Sequence, residues 1–150
     1  MPQSFASLTC HVIFSTKNRE PLIIGELAPR IYEYVGGICR ETGNVLLAAG
    51  GTPDHVHLLI SVGKQTSIAD LVRTIKANAS GWIHKTFANQ GGFAWQSGYG
   101  AFSVSLSNID GVTQYIANQS EHHRTKSFQE EFMEFLKRHN LQYNEQYLWE

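Results

Sequence analysis

Apolar and polar positions alternate over SLTCHVIFST, residues 7–16, with Leu8, Cys10, Val12 and Phe14 on one side and Thr9, His11 and Ile13 on the other. A period of two is that of a half-buried strand. The period then lengthens: Leu27, Ile31, Tyr34, Val35 and Ile38 recur at helical spacing, which predicts a helix over 26–42 with Gly43 as its stop. NVLLAAGG, 44–51, reads as a second strand, and Thr52-Pro53 turns the chain into a third, DHVHLLISV, 54–62. Ser67 caps a long helix, with Asp70 three residues on and an apolar stripe of Ile68, Leu71, Val72, Ile75, Ala79 and Trp82. NQGG breaks the chain at 89–92, and GAFSVSLS, 100–107, reads as a fourth strand. Helices are expected at 109–123 and 127–139. The last one opens on a Ser127/Glu130 capping box, and its stripe of Phe128, Phe132, Phe135 and Leu136 calls for a body or a partner to pack against.

Through residue 107 the order is strand, helix, strand, strand, helix, strand. That is the α+β, ferredoxin-like split βαβ arrangement: an antiparallel four-stranded sheet with both helices on one face and the first and third strands in the centre. Val56, Leu58, Ile60 and Val62 then face the helices, while His55 and His57 project from the middle of the other, open face. His11, on the neighbouring central strand, is expected to point the same way.

Composition leaves this picture standing. The chain has 150 residues, 42% of them apolar and 17% charged, which suits one domain over 1–150 with a real core. No stretch approaches a membrane span, and MPQSFASLTC carries no basic segment ahead of an apolar one, so no signal peptide is expected. Cys10 and Cys39 have no motif spacing and read as buried thiols of a reducing cytoplasm. A formal charge of −1 gives no global sign of a nucleic-acid partner. The distribution says more: residues 1–126 hold 10 Lys and Arg against 8 Asp and Glu, and residues 127–150 hold 2 against 5, so the acidic excess lies in the tail.

Two imidazoles side by side on a strand need a reason. Same-face positions two apart lie roughly 6.5–7 Å apart at the backbone, close enough for both rings to converge on one ion. Two ligands seldom make a site, and VTQYIANQSEHHR, 112–124, offers more: Tyr115 and Gln119 share a helix face, the amide oxygen can bind a hard ion, and a phenol oxygen is a nucleophile once activated. His122 and His123 lie within a turn of Gln119 and are rival ligands, although a histidine near a helix C-terminus is already favourable there. His11 is another rival, better read as supporting a ligand or facing a partner. Trp95, Gln96 and Tyr99 precede the fourth strand, where packing is the default role for the aromatics.

HVH on a strand followed by YIANQ on a helix resembles the small single-tyrosine transposases of the HUH endonuclease class, which include the TnpA-like transposases of insertion sequences and the REP-associated tyrosine transposases. HVIFSTKNREPLI, GTPDHVHLLISV, WQSGYGAFSVS and YIANQSEHH all look like segments of that family, in its order. The resemblance implies a divalent ion, Mg²⁺ or Mn²⁺, on His55, His57 and Gln119, with Tyr115 as the nucleophile. It implies cleavage and rejoining of single-stranded DNA through a 5′-phosphotyrosine, recognition of hairpins at element ends, and a homodimer. In that family the tyrosine helix of one subunit can serve the metal site of the other, and the sequence leaves cis and trans placement of Tyr115 open. Phosphate contacts are expected from Lys17, Asn18 and Arg19 after the first strand, Arg73 and Lys76 on the second helix, and Arg124 and Lys126 after the tyrosine helix. Two rival readings are a protein of the same fold that grips hairpin nucleic acid without cutting it, and a metal-dependent phosphodiesterase that forms no covalent intermediate.

Overall fold

The computed structural model describes residues 2–150. Four antiparallel strands, β1 (Thr9–Ser15), β2 (Val45–Thr52), β3 (His55–Ser61) and β4 (Gly100–Ser103), form one sheet in the order β2-β3-β1-β4. The expected ferredoxin-like topology is present, with β1 and β3 central. Their register sets Val12 opposite Leu58 and Ile13 opposite His57.

Helices α1 (Leu27–Glu41) and α2 (Ile68–Thr86) lie on one face. Leu27, Ile31, Val35 and Ile38 of α1 and Leu71, Val72, Ile75 and Ile83 of α2 bury their stripes against Val12, Phe14, Val56, Leu58 and Ile60. The predicted boundary signals hold. Gly43 takes φ +82° just after α1, and the Ser67 side chain accepts from the Asp70 backbone N–H at 3.1 Å. Among the described residues, no helix is long and apolar enough to cross a membrane.

Three departures from the expected elements matter. The fourth strand ends at Ser103 rather than 107, because its partner β1 begins at Thr9, whose carbonyl takes the last bond from Val104 at 2.9 Å. The predicted 109–123 helix is two pieces, α3 (Ile109–Ala117) and α4 (Gln119–His122), broken at Asn118, a weak helix former.

The second sheet face is not open. Helix α5 (Phe128–Arg138) folds back over it within the same chain. Its Phe128, Phe132, Phe135 and Leu136 close on Ile13 and Phe102 as a second core. Ile13 and Phe102 would otherwise expose apolar surface, and so would the stripe of α5; each removes the other from water.

Candidate active site

The strand pleat brings His11, His55 and His57 to the face beneath α3–α5. None is the partly exposed side chain that an open sheet predicts: His55 and His57 are 0% exposed and His11 2%. Buried polar rings need partners, and each has them. His55 Nδ1 lies 2.7 Å from Asp54 Oδ1 and 2.9 Å from Thr52 Oγ1, both supplied by the β2–β3 turn. His57 Nδ1 lies 2.8 Å from His11 Nε2. His11 therefore supports His57 rather than facing outward.

The Nε2 atoms point the other way, into the space under α5. His55 Nε2 is 3.1 Å from Gln119 Oε1, so the break at Asn118 sets the amide among the rings, where Gln119 is 1% exposed. The residue at the centre was not foreseen. Glu131, on α5 and 1% exposed, places Oε1 3.0 Å from His57 Nε2, 3.1 Å from His123 Nε2 and 3.4 Å from His55 Nε2. Its Oε2 accepts from the Tyr115 hydroxyl and, at 3.1 Å, from Gln119 Nε2. One ligand atom from each of His55, His57, His123 and Glu131 lies within 4.8 Å of the others, a donor set able to hold one ion. The signal for Glu131 was in the sequence. On a helix with Phe128, Phe132 and Phe135 facing inward, position 131 shares the inward face, and a carboxylate there calls for a buried partner. His123 is a member of this group too, and not just a ring at a helix end.

Electrostatics follow from crowding. Burial drives His57 down to about 4 and His11 to about 3, so both rings stay neutral. Burial also opposes charge on His55, but its hydrogen bonds to the Asp54 and Glu131 carboxylates outweigh it and lift that ring to about 9. Glu131 is held far below the ordinary carboxylate range despite burial, by the imidazoles of His123, His55 and His57 close around it. Tyr115 is pushed up, first by burial and then by the Glu131 carboxylate beside it. Its hydroxyl also lies 3.1 Å from His122 Nε2.

The expected phosphate contacts are dispersed. Lys17 and Asn18 stand exposed in the turn after β1, where Asn18 and Arg19 take φ 57° and 56°, and the Arg19 guanidinium lies 5.8 Å from the Trp149 ring. Arg73 and Lys76 ride on α2, across the sheet from the histidines. Arg73 pairs with Asp70, and Lys76 Nζ donates to the carbonyls of Gln96 at 2.8 Å and Gly98 at 2.7 Å. Arg124 pairs with Glu121 at 3.0 Å and Lys126 with Glu134 at 2.6 Å. Of these residues Lys126 is the one beside the site: it lines a cleft with Thr52, Asp54, His123 and Phe128. Trp95 packs on Phe14 and Phe93, and Gln96 accepts from the Ser15 backbone.

The split βαβ fold and the match along most of the chain place this protein in a class of transposases. Residues 4–119 match the family described as transposase, IS200 like, and the chain is a member of that transposase family. The ISDra2 transposase TnpA of Deinococcus radiodurans is 27% identical over 119 residues, spanning 76% of this chain and 85% of that one. A crystal structure of a candidate transposase from D. radiodurans R1 superposes with TM-score 0.65 at 28% identity, over 79% of this chain and 98% of that one. A REP-associated tyrosine transposase bound to a REP hairpin shares the fold, with TM-score 0.60 at 13% identity over 82% and 73% of the two chains.

Proposed function

We propose that this transposase cleaves and rejoins single-stranded DNA through a 5′-phosphotyrosine on Tyr115, with a divalent ion, Mg²⁺ or Mn²⁺, held by His55, His57 and Gln119. One observation carries the reading: the Tyr115 hydroxyl and the inward nitrogens of the paired histidines converge on a single buried carboxylate, Glu131. The residues fit an ion. The Nδ1 atoms of His55 and His57 are held from behind by Asp54 and His11, which leaves the opposite ring nitrogen to ligate. When bound, a divalent cation polarises a phosphate oxygen and stabilises the charge that builds there.

The chain's own residues do the rest. Tyr115 supplies the oxygen that bonds to phosphorus, the bond to the 3′ oxygen breaks, and the tyrosine proton ends on that departing oxygen. The phosphodiester is conserved in the tyrosine link, so a free 3′-hydroxyl can later attack it and join a new junction without an added energy source. While Tyr115 donates to Glu131 its phenol is held protonated, and that proton must leave the oxygen before or as the bond to phosphorus forms. The solved neighbour bound to a REP hairpin supports folded single strands as the substrate class. Lys17, Asn18 and Arg19, with Arg124 and Lys126, are proposed to meet the DNA backbone. Two ends need two tyrosines, which a homodimer supplies, and the reaction belongs in the cytoplasm where the element's DNA lies.

The test uses labelled single strands from the flanks of the gene, incubated with the protein and Mn²⁺ or EDTA and run on a denaturing gel. A covalent adduct is expected with Mn²⁺ alone, and Tyr115→Phe abolishes it. A native-gel shift with no adduct under any metal supports the rival hairpin-binding reading. Turnover without an adduct points to hydrolysis by water.

A further inference from the structure

Glu131 and His123 lie beyond the segment, residues 4–119, that matches the transposase family. We propose that both are direct ligands of the divalent ion, so that the C-terminal helix completes the metal site in the same chain. This deepens the reading above and rests on its divalent ion.

Ring orientation is the first argument. Three histidines each have Nδ1 tied to an outer group: His55 to Asp54 at 2.7 Å, His57 to His11 at 2.8 Å, and His123 to the Lys126 carbonyl at 2.5 Å. An imidazole that donates outward from Nδ1 would offer the lone pair of Nε2 to a cation placed among the rings. All three Nε2 atoms face one oxygen, Glu131 Oε1. This arrangement, ligand inward and hydrogen bond outward, is how metal-bound imidazoles are held.

His123 is the second argument. Its Nε2 is buried and has no hydrogen-bond partner, although Glu131 Oε1 is 3.1 Å away. The contact lacks hydrogen-bond geometry, so a hydrogen bond does not account for this close approach. A buried ring nitrogen and carboxylate oxygen left without a hydrogen bond between them are costly, and a shared cation would satisfy both. The spacing suits one. Around an octahedral ion with bonds of about 2.1 Å, neighbouring ligand atoms lie about 3.0 Å apart. The Glu131 Oε1 distances to the three imidazoles are 3.0, 3.1 and 3.4 Å.

Charge is the third argument. Among the described residues Glu131 makes ion pairs with histidines alone and none with Lys or Arg. Its other partners, Tyr115 and Gln119, are neutral donors on Oε2. The carboxylate is thus divided, with Oε1 toward His55, His57 and His123 and Oε2 toward Tyr115, Gln119 and His122. Three imidazoles and a carboxylate favour Mn²⁺ and later divalent ions over Mg²⁺, which prefers oxygen and retains water.

Mn²⁺ binding, followed by the electron-paramagnetic-resonance signal of the free ion, tests this without any DNA. Wild type, Glu131→Gln, His123→Ala, His57→Ala and the distant Glu145→Gln are compared, with circular dichroism checking that each is folded. Glu131→Gln keeps side-chain shape, and the four apolar anchors of α5 remain. Wild type and Glu145→Gln are expected to bind Mn²⁺ alike, and Glu131→Gln and His123→Ala at least tenfold more weakly. Electron spin-echo modulation on the loaded protein is expected to register one imidazole fewer in His123→Ala than in wild type. Affinities of Glu131→Gln and His123→Ala within twofold of wild type, with His57→Ala impaired, would overturn this ligand set and leave the proposed function standing. A wild-type protein that binds no Mn²⁺ overturns both.

Discussion

Lys76 illustrates how a surface cation can become a structural one. Its ammonium donates to the Gln96 and Gly98 carbonyls and sits 5.0 Å over the Phe14 ring, joining α2 to the loop that enters β4. Burial pushes its pKa down to about 8. The folded chain therefore gives up this proton before the unfolded chain does. Above the ordinary lysine value neither state is charged and folding carries no cost from it. As pH falls from the ordinary lysine value to about 8 the unfolded chain takes up this proton and the folded chain does not, so stability is lost across that window and is fully lost below it. Urea unfolding at pH 7.5 and pH 9.5 is expected to show a rise in stability with pH that is larger in wild type than in Lys76→Met. Equal slopes would show that the ammonium is as well solvated folded as unfolded. His55 and His57 could be found in the sequence because the strand period puts two titratable rings on one face with no core reason to be there. Glu131 and His123 could not be placed so directly. A helical period identifies which face is buried but not what it faces, and only the fold of α5 brings 131 opposite 55 and 57.

At the scale of elements, α3 reaches the sheet through a missing side chain. A Cβ on Gly50 of β2 would lie 2.7 Å from the Ile116 carbonyl oxygen and 3.0 Å from Ile116 Cγ2. Backbone cannot yield there without moving α3, and Tyr115 is the next residue along it. Gly50→Ala is expected to slow adduct formation by about 100-fold, the scale of an ångström-level displacement of a reacting group. Mn²⁺ affinity should fall less, because His55 and His57 on β3 and Glu131 on α5 stay in place while Gln119 and His123 alone follow α3; equal losses in both would show that the whole site is displaced. Helix α5 is held by a different contact. Phe132 lies in the second core, 4% exposed, and Phe132→Ala is expected to cost about 3–5 kcal/mol in urea unfolding. The strands and α1 and α2 were legible because each has a complete periodic signal and a cap. The end of β4 was not, since it is set by where β1 runs out. The docking of α5 was half legible: its stripe demanded a partner, and Ile13 and Phe102 on the supposedly open face were that partner.

At the scale of the whole molecule, one chain assembles histidines, amide, carboxylate and tyrosine. Glu131 Oε1 touches His57 and Oε2 holds Tyr115, so a single side chain links the two functions within one subunit. If Tyr115 is the nucleophile proposed above, this pose has it serve the histidines of its own subunit rather than those of a partner. The distinction can be read by mixing two inactive proteins, Tyr115→Phe and His57→Ala, under conditions that let subunits exchange. If tyrosine served the partner's histidines, random pairing would restore about a quarter of the composite sites, because half of the dimers would be mixed and each would hold one intact site. If tyrosine serves its own histidines, every site in every mixed dimer lacks one of the two groups. The cis geometry therefore predicts no covalent adduct from the mixture beyond the sum of the separate variants, while wild type with either variant keeps activity in proportion to the wild-type chains present. Recovery of adduct in the mixture would mean that α3 and α4 leave the pose seen here and cross to the other subunit before the tyrosine reacts.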